Sequence, residues 1–283
     1  MFFIGDYIRD KIIKYEKIMI PKIIHYCWLS GEEFPKDIKR NIDSWKKMLP
    51  DYKFMLWDTK RFNLEDWPFA KEAFERKKYA FASDIVRLFA VKKYGGIYLD
   101  TDVEVLKSFD DLLSLPYFVG LEHANIIEAA VFGAEKESEW LDLCLQYYDN
   151  RLFVKGDGSY DTTILPTILK TQLLTHKELI PLHYEELNLI NKDLFSNKDK
   201  FYLFPFDYFS PKDVQTGKIH TTKNTYTIHH FNSSWLPYFS KLRRKIRLLI
   251  GTDTTKKLVS IPWVNSILQY FKRIEHKKDM SKN

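Results

Sequence analysis

Cysteine is scarce in this chain, two residues among 283, and Cys27 and Cys144 lie far apart in apolar surroundings. So few thiols exclude a disulfide framework and a thiolate metal cluster, and they fit a reducing compartment. Long apolar runs are lacking too. No stretch approaches the ~20 apolar residues of a membrane-crossing helix. The opening MFFIGDYIRD places Asp6, Arg9 and Asp10 where a secretory signal would need an uninterrupted apolar core. Internal repeats and low-complexity segments are missing as well. The expectation is a soluble, cytoplasmic protein, at most peripheral on the inner face of a membrane, where the Asn-x-Ser triplet at Asn232 would go unmodified.

What is present suffices for a substantial core: 45% of residues are hydrophobic and 16% aromatic. The net charge of +6 is unevenly spread. From Leu236 onward there are twelve Lys or Arg against three Asp or Glu, a balance of +9, which leaves −3 for residues 1–235. The basic character therefore belongs to the tail, and three regions are expected: an extension over 1–19, a main domain over 20–235 and a basic helical tail over 236–283.

The apolar periodicity alternates between strand and helix. Ile20 to Trp28 (IPKIIHYCW) is a β-branched run entered through Pro21 and reads as a buried strand. Ile38, Ile42, Trp45 and Leu49 recur at helical spacing, and Phe54 to Trp57 is a second short apolar run ending in Asp58. A helix is expected over about Tyr79 to Tyr94, stopped by Gly95-Gly96, where positive φ costs little. Ile97 to Leu99 then reads as a strand running into Asp100-Thr101-Asp102. Such alternation predicts an α/β sheet with ligands at the carboxyl ends of its strands. Residues from about Glu135 to Lys200 read as mainly helical, and Thr225 to Phe231 (TYTIHHF) as a strand.

Asp100-Thr101-Asp102 carries the chemistry. In extended backbone, residues two apart point to the same side, so both carboxylates can converge just beyond a strand end. Two hard oxygen donors there suit Mg²⁺ or Mn²⁺ bound together with substrate phosphates. Such an ion neutralises charge on a departing nucleoside diphosphate. Asp84 and Arg87 share one face of the preceding helix. As an exposed i,i+3 pair they would contribute only a few tenths of a kcal/mol. An otherwise apolar helix has no need of them for that.

Tyr79 to Val105 (YAFASDIVRLFAVKKYGGIYLDTDVEV) resembles the signature of glycosyltransferase family 32, shared with capsular polysaccharide and yeast initiating mannosyltransferases and, more distantly, with the glucosylating clostridial toxins. Two further blocks agree in order: Ile20 to Gly31 (IPKIIHYCWLSG), with Ser44-Trp45 and Pro50 downstream, and Ile228 to Trp235 (IHHFNSSW). The resemblance implies a GT-A (Rossmann-like) nucleotide-sugar-binding fold with a helical insertion, a Mn²⁺ (or Mg²⁺) cofactor, and transfer with retention at the anomeric carbon.

Position by position, Asp100 and Asp102 match metal- and diphosphate-holding carboxylates, Asp84 and Arg87 match residues that hold the donor sugar, and Tyr98 matches a ribose neighbour. Trp28 matches an aromatic that stacks on the nucleobase, although a core tryptophan ending a strand fits the sequence equally well. Ser234 and Trp235 match a loop that closes over the diphosphate. A histidine completes the metal set. Strand alternation sends His229 and His230 to opposite faces, so at most one of them coordinates; the spacing to Ser234 and Trp235 favours His230, with His229 as the alternative. The Gly-Pro pair common in the middle of the family is replaced here by Gly158-Ser159-Tyr160-Asp161, where Asp161 reads as a loop residue. No carboxylate stands out as a nucleophile for double displacement, which favours a front-face route in which the leaving phosphate takes the acceptor proton.

In the tail, Tyr238 to Ile250 (YFSKLRRKIRLLI) sets Phe239, Leu242, Ile246 and Leu249 on one side and Lys and Arg on the other, and Ile261 to Phe271 repeats the pattern. A phosphate-only binder has no use for that apolar stripe, so an anionic membrane surface is the expected partner rather than nucleic acid; a helix packed on its own domain fits as well. The function expected is a retaining, metal-dependent transfer of a hexose from a UDP- or GDP-linked donor to a glycan or lipid-linked acceptor in surface polysaccharide synthesis. The alternatives are an effector-type enzyme glycosylating a protein, and a non-catalytic membrane-binding module.

Overall fold

The computed structural model describes residues 19–123, 125–184, 193–232 and 238–280, so the expected extension lies outside the described residues except for position 19. The central element is a five-stranded mixed sheet in the order β2-β1-β3-β6-β5. Its parallel half consists of β1 (Ile23–Cys27), β2 (Lys53–Trp57) and β3 (Gly96–Leu99), and its antiparallel half of β5 (Tyr117–Glu122) and β6 (Ile126–Ala134). Helix α1 (Lys36–Met48) crosses from β1 to β2, and α2 (Pro68–Glu75) and α3 (Tyr79–Tyr94) cross from β2 to β3. This is the α/β plan expected from the alternating pattern, in the Rossmann-like form that the family resemblance implied.

Each face of the sheet buries its own core. Ile24, Ile97 and Leu99 point toward α1, where Ile38, Ile42 and Trp45 pack, while Cys27 and Tyr98 point toward α2 and α3. Because β1 alternates, His25 falls on the α3 side. There its Nε2 bonds the Gly95 carbonyl at 2.8 Å and its Nδ1 accepts from the Trp57 indole at 3.0 Å. Burial pushes this imidazole down to about 4, so it is a neutral brace between β1 and the end of α3.

Helix α3 is buried nearly all round, which is why its sequence shows little amphipathic contrast. It ends where expected, with Gly95 at φ 64° and Gly96 at φ 112°. A Cβ on Gly96 would lie 2.6 Å from the Ile23 carbonyl oxygen, so the tight entry into β3 requires glycine.

Two elements of the sheet were not expected. The segment from Tyr117 to Ala134 is almost continuously buried, and a strand buried on both faces has no alternation to reveal it. The middle region is less helical than its composition suggests: α4 (Glu139–Leu145) and α5 (Leu165–Leu174) are separated by loop and followed by β7 (Glu178–Pro181), which pairs in parallel with β8 (Lys200–Leu203). A short helix, α6 (Phe206–Phe209), follows. A second small sheet pairs β4 (Val103–Val105) with β9 (Thr227–His229) and brings the end of the main domain back beside Asp102. Helices α7 (Tyr238–Ile250), α8 (Thr252–Ser260) and α9 (Pro262–Met280) complete the described chain. No helix among the described residues is long and apolar enough to cross a membrane.

Candidate active site

Asp100 and Asp102 sit just past the carboxyl end of β3, in a turn closed by the Val103 N–H donating to the Asp100 carbonyl at 3.0 Å. Helix α1 holds this turn by its backbone. Asn41 donates to the Thr101 carbonyl at 2.9 Å, the Trp45 indole donates to the Val103 carbonyl at 2.7 Å, and the Ser44 hydroxyl accepts the Val105 N–H at 3.0 Å. The downstream Ser44-Trp45 pair thus has a physical reason: it fixes the path of the chain carrying the two carboxylates.

Arg87 is the centre of the polar network. Buried on α3, it donates to Asp100 Oδ2 at 3.1 Å and to the Ala129 carbonyl at 2.9 Å, and it pairs with Asp84 at 3.1 Å. Its guanidinium also lies 4.8 Å from the centre of the Tyr98 ring, whose hydroxyl donates to Asp100 Oδ1 at 2.8 Å. Burial raises the Asp84 carboxyl to about 7 despite Arg87 beside it. Asp100 is raised for the same reason, with Arg87 opposing the shift and Asp102 adding to it.

Asp102 faces the other way, accepting the Asn232 N–H at 2.7 Å on Oδ2, with His229 Nε2 3.5 Å from its Oδ1. Asp100, Asp102 and His229 offer ligand atoms all within 4.8 Å of one another. Two carboxylates and an imidazole form a donor set suited to Mn²⁺ or Mg²⁺. Here the structure reverses the sequence-based preference. His230 turns to the opposite face, where its Nε2 lies 3.0 Å from Glu104, because β9 alternates; His229, the alternative, is the imidazole beside the aspartates. Burial works against a charge on His229, but the carboxylates of Glu128 and Asp102 outweigh it and push the imidazole up to about 10.

These groups line a cavity of about 1550 Å³. Trp28 lies on its wall, its indole donating to the Glu32 carbonyl at 2.7 Å and its ring tilted against Phe34, so it is half-buried rather than a core residue. Tyr98 is buried and its hydroxyl is taken by Asp100, so what the structure shows it doing is holding that carboxylate. Ser234 and Trp235 lie outside the described residues. Asp161 organises its own loop, accepting from Thr163 and Tyr147, and is not on the cavity wall.

Sequence reasoning missed three contributors. Glu128, fully buried on β6, lies 3.3 Å from His229 Nδ1. A lone carboxylate in the apolar run of β6 was the available signal. Glu122 also faces the cavity, and burial, reinforced by Glu128, raises it to about 8. The third is the tail itself: Arg244, Lys245 and Arg247 of α7 and Thr255 and Val259 of α8 line the same cavity, so a boundary at residue 235 does not separate the tail from the site.

These shifts share one sign. Asp84, Glu122 and His229 each hold a proton more tightly folded than unfolded, so each contributes stability that is complete below its unfolded value and is lost as pH rises toward about 7, 8 and 10 respectively. The melting temperature of the cation-free protein is therefore expected to fall between about pH 5 and about pH 9, and His229→Asn to flatten the upper part of that fall. A melting temperature that climbs across this range would contradict the assignment.

Comparison with known proteins agrees with this geometry. Residues 35–119 match the family described as "Glycosyltransferase sugar-binding region containing DXD motif". Inositol phosphoceramide mannosyltransferase 3 of Schizosaccharomyces pombe is 32% identical over 142 residues, which cover 49% of this chain and 40% of that protein. The chain thus spans about two fifths of that relative's length. A mimivirus protein named "Uncharacterized glycosyltransferase L373" is 28% identical over 232 residues, 78% of this chain and 85% of that one. Among solved structures, the PaToxG glycosyltransferase is similar at a TM-score of 0.42 and 22% identity, covering 60% of this chain and 76% of that one. Residues 35–119 thus carry a glycosyltransferase sugar-binding region whose DXD motif is Asp100-Thr101-Asp102.

Proposed function

We propose that the protein is a retaining glycosyltransferase that moves a hexose from a nucleoside-diphosphate sugar to a glycan or lipid-linked acceptor during assembly of cell-surface carbohydrate. The observation that carries this reading is the convergence of Asp100, Asp102 and His229 on the wall of a cavity that Asp84, Arg87 and Trp28 also line. A Mn²⁺ or Mg²⁺ ion held by the first three would neutralise charge on the leaving diphosphate.

The remaining steps fall to the protein's own groups. Arg87 is already engaged by Asp84, Asp100 and the Ala129 carbonyl, so it orients the carboxylates and keeps them charge-balanced rather than acting as a loose phosphate clamp. Trp28 offers a ring face to a nucleobase. Retention is assigned to a front-face route, with the acceptor proton passing to the departing phosphate. A double displacement needs an ionised nucleophile, and Glu122 and Asp84, two carboxyls on the cavity wall, are raised toward their neutral forms.

The acceptor side is assigned to the tail. Arg244, Lys245 and Arg247 give the cavity one basic wall, while Leu249 and Trp263, 84% and 66% exposed, lie on the tail helices. An acceptor carried on an anionic lipid supplies both the negative charge and the apolar surface such a wall would meet, and the fission-yeast relative is named as an inositol phosphoceramide mannosyltransferase. The site of action proposed is the inner face of a membrane.

Incubating the protein with UDP- and GDP-sugars should give cation-dependent slow hydrolysis or transfer for one donor, and Asp100→Ala or Asp102→Ala should each lower it at least about 100-fold. Turnover that is indifferent to both substitutions and to chelation would overturn the reading. Flotation with anionic liposomes should fall when Leu249→Glu and Trp263→Glu are combined. These substitutions are preferable to truncation after residue 235, which removes part of the cavity wall. Undiminished flotation of the double variant would remove the membrane assignment.

A further inference from the structure

Behind His229, on the side away from the aspartates, stands Glu128. It is fully buried, and each of its oxygens is engaged. Oε1 accepts the Ala130 N–H at 2.6 Å; Oε2 accepts the Ser210 hydroxyl and lies 3.3 Å from His229 Nδ1. A carboxylate taken out of water carries a desolvation cost of several kcal/mol, which three polar neighbours offset only in a closely fitted arrangement.

We propose that Glu128 is a positioning residue which fixes the ring of His229 with Nδ1 protonated, so that Nε2 presents its lone pair to the divalent cation held by Asp100 and Asp102. This rests on the cation site proposed above. An ionised carboxylate can only accept, so the nitrogen facing it must carry hydrogen. In neutral imidazole that leaves the other nitrogen, 3.5 Å from Asp102 Oδ1, as the ligand atom. Outer carboxylates of this kind orient metal-binding histidines in general, and losing one typically costs 10–100-fold in metal affinity.

Glu128 also braces the opposite side of the site. The residue whose N–H it accepts, Ala130, uses its carbonyl to accept the Asp100 N–H at 2.8 Å. One buried side chain therefore holds both segments that carry the candidate ligands, β9 through His229 and the end of β3 through Ala130. Glu122 is the other carboxylate near the imidazole; its ligand atom lies within 4.8 Å of those of Glu128 and His229.

Glu128→Gln separates orientation from mere space-filling. The amide keeps the shape, and its oxygen can still accept from Ala130, but its N–H groups then face Ser210 and His229. Nδ1 must accept, the proton moves to Nε2, and the ring can no longer ligate. Manganese binding is measured by loss of the free-ion EPR signal in wild type and Glu128→Gln, and the His229 tautomer by ¹⁵N NMR with Mg²⁺ and UDP or GDP. The dissociation constant for Mn²⁺ should rise about 10–100-fold in the variant. Wild-type His229 should show a protonated Nδ1 and an unprotonated Nε2. Equal Mn²⁺ affinity in the two proteins overturns the positioning role while leaving the cation site standing. Failure of the wild type to bind Mn²⁺ at all overturns the cation reading and this role with it. Should the variant not fold, the wild-type spectrum decides: a proton on Nε2 overturns the proposal.

Discussion

The guanidinium of Arg87 is the constraint around which the site is built. A full positive charge inside an α/β core is tolerable only with its partners in place, and removing a partner from such a pair typically costs 3–5 kcal/mol. Its partners come from three elements: Asp84 from the same helix, Asp100 from the end of β3 and the Ala129 carbonyl from β6. Satisfying one cation therefore fixes the helix, the parallel half of the sheet and the antiparallel half relative to one another. It also leaves Asp100 with both oxygens held, one by Arg87 and one by Tyr98.

From that fixed carboxylate the rest of the site follows. Asp102 comes two residues later around a turn that α1 grips by its backbone, so its side chain is free of Arg87 and faces β9. The backbone of residues 230 and 232 then closes on it: the His230 N–H donates to the Asp102 carbonyl at 3.0 Å and the Asn232 N–H to its carboxylate. The main domain thus returns to its own active centre just before the tail begins. Because α7 supplies Arg244, Lys245 and Arg247 to the same cavity, part of the +9 charge balance of residues 236–283 belongs to the site's electrostatics rather than to a separate appendage.

Much of this was legible in the amino-acid order. The helix ending at Gly95, the strand that follows and the paired aspartates are local features, set by apolar spacing, positive-φ glycine and strand geometry. The spacing of Asp84 and Arg87 placed them on one helical face, where they pair. What sequence could not supply was register and long-range pairing. His229 and His230 have the same chemistry, and which one meets the aspartates depends on Val103 lying opposite His229. Strands β5 and β6 escaped because a segment buried on both faces shows no period of two. With them went Glu122 and Glu128, whose importance comes from where the sheet places them.

The central claim is that a divalent ion lies between Asp100, Asp102, His229 and the diphosphate of an activated sugar. Pulsed EPR of Mn²⁺ added together with UDP or GDP tests it directly. The account predicts ³¹P hyperfine coupling from the diphosphate and ¹⁴N coupling from one imidazole in the same spectrum, with the ¹⁴N coupling lost in His229→Gln and retained in His230→Gln. A bound-ion spectrum without ³¹P coupling, or one whose ¹⁴N coupling disappears with His230 instead, would contradict it.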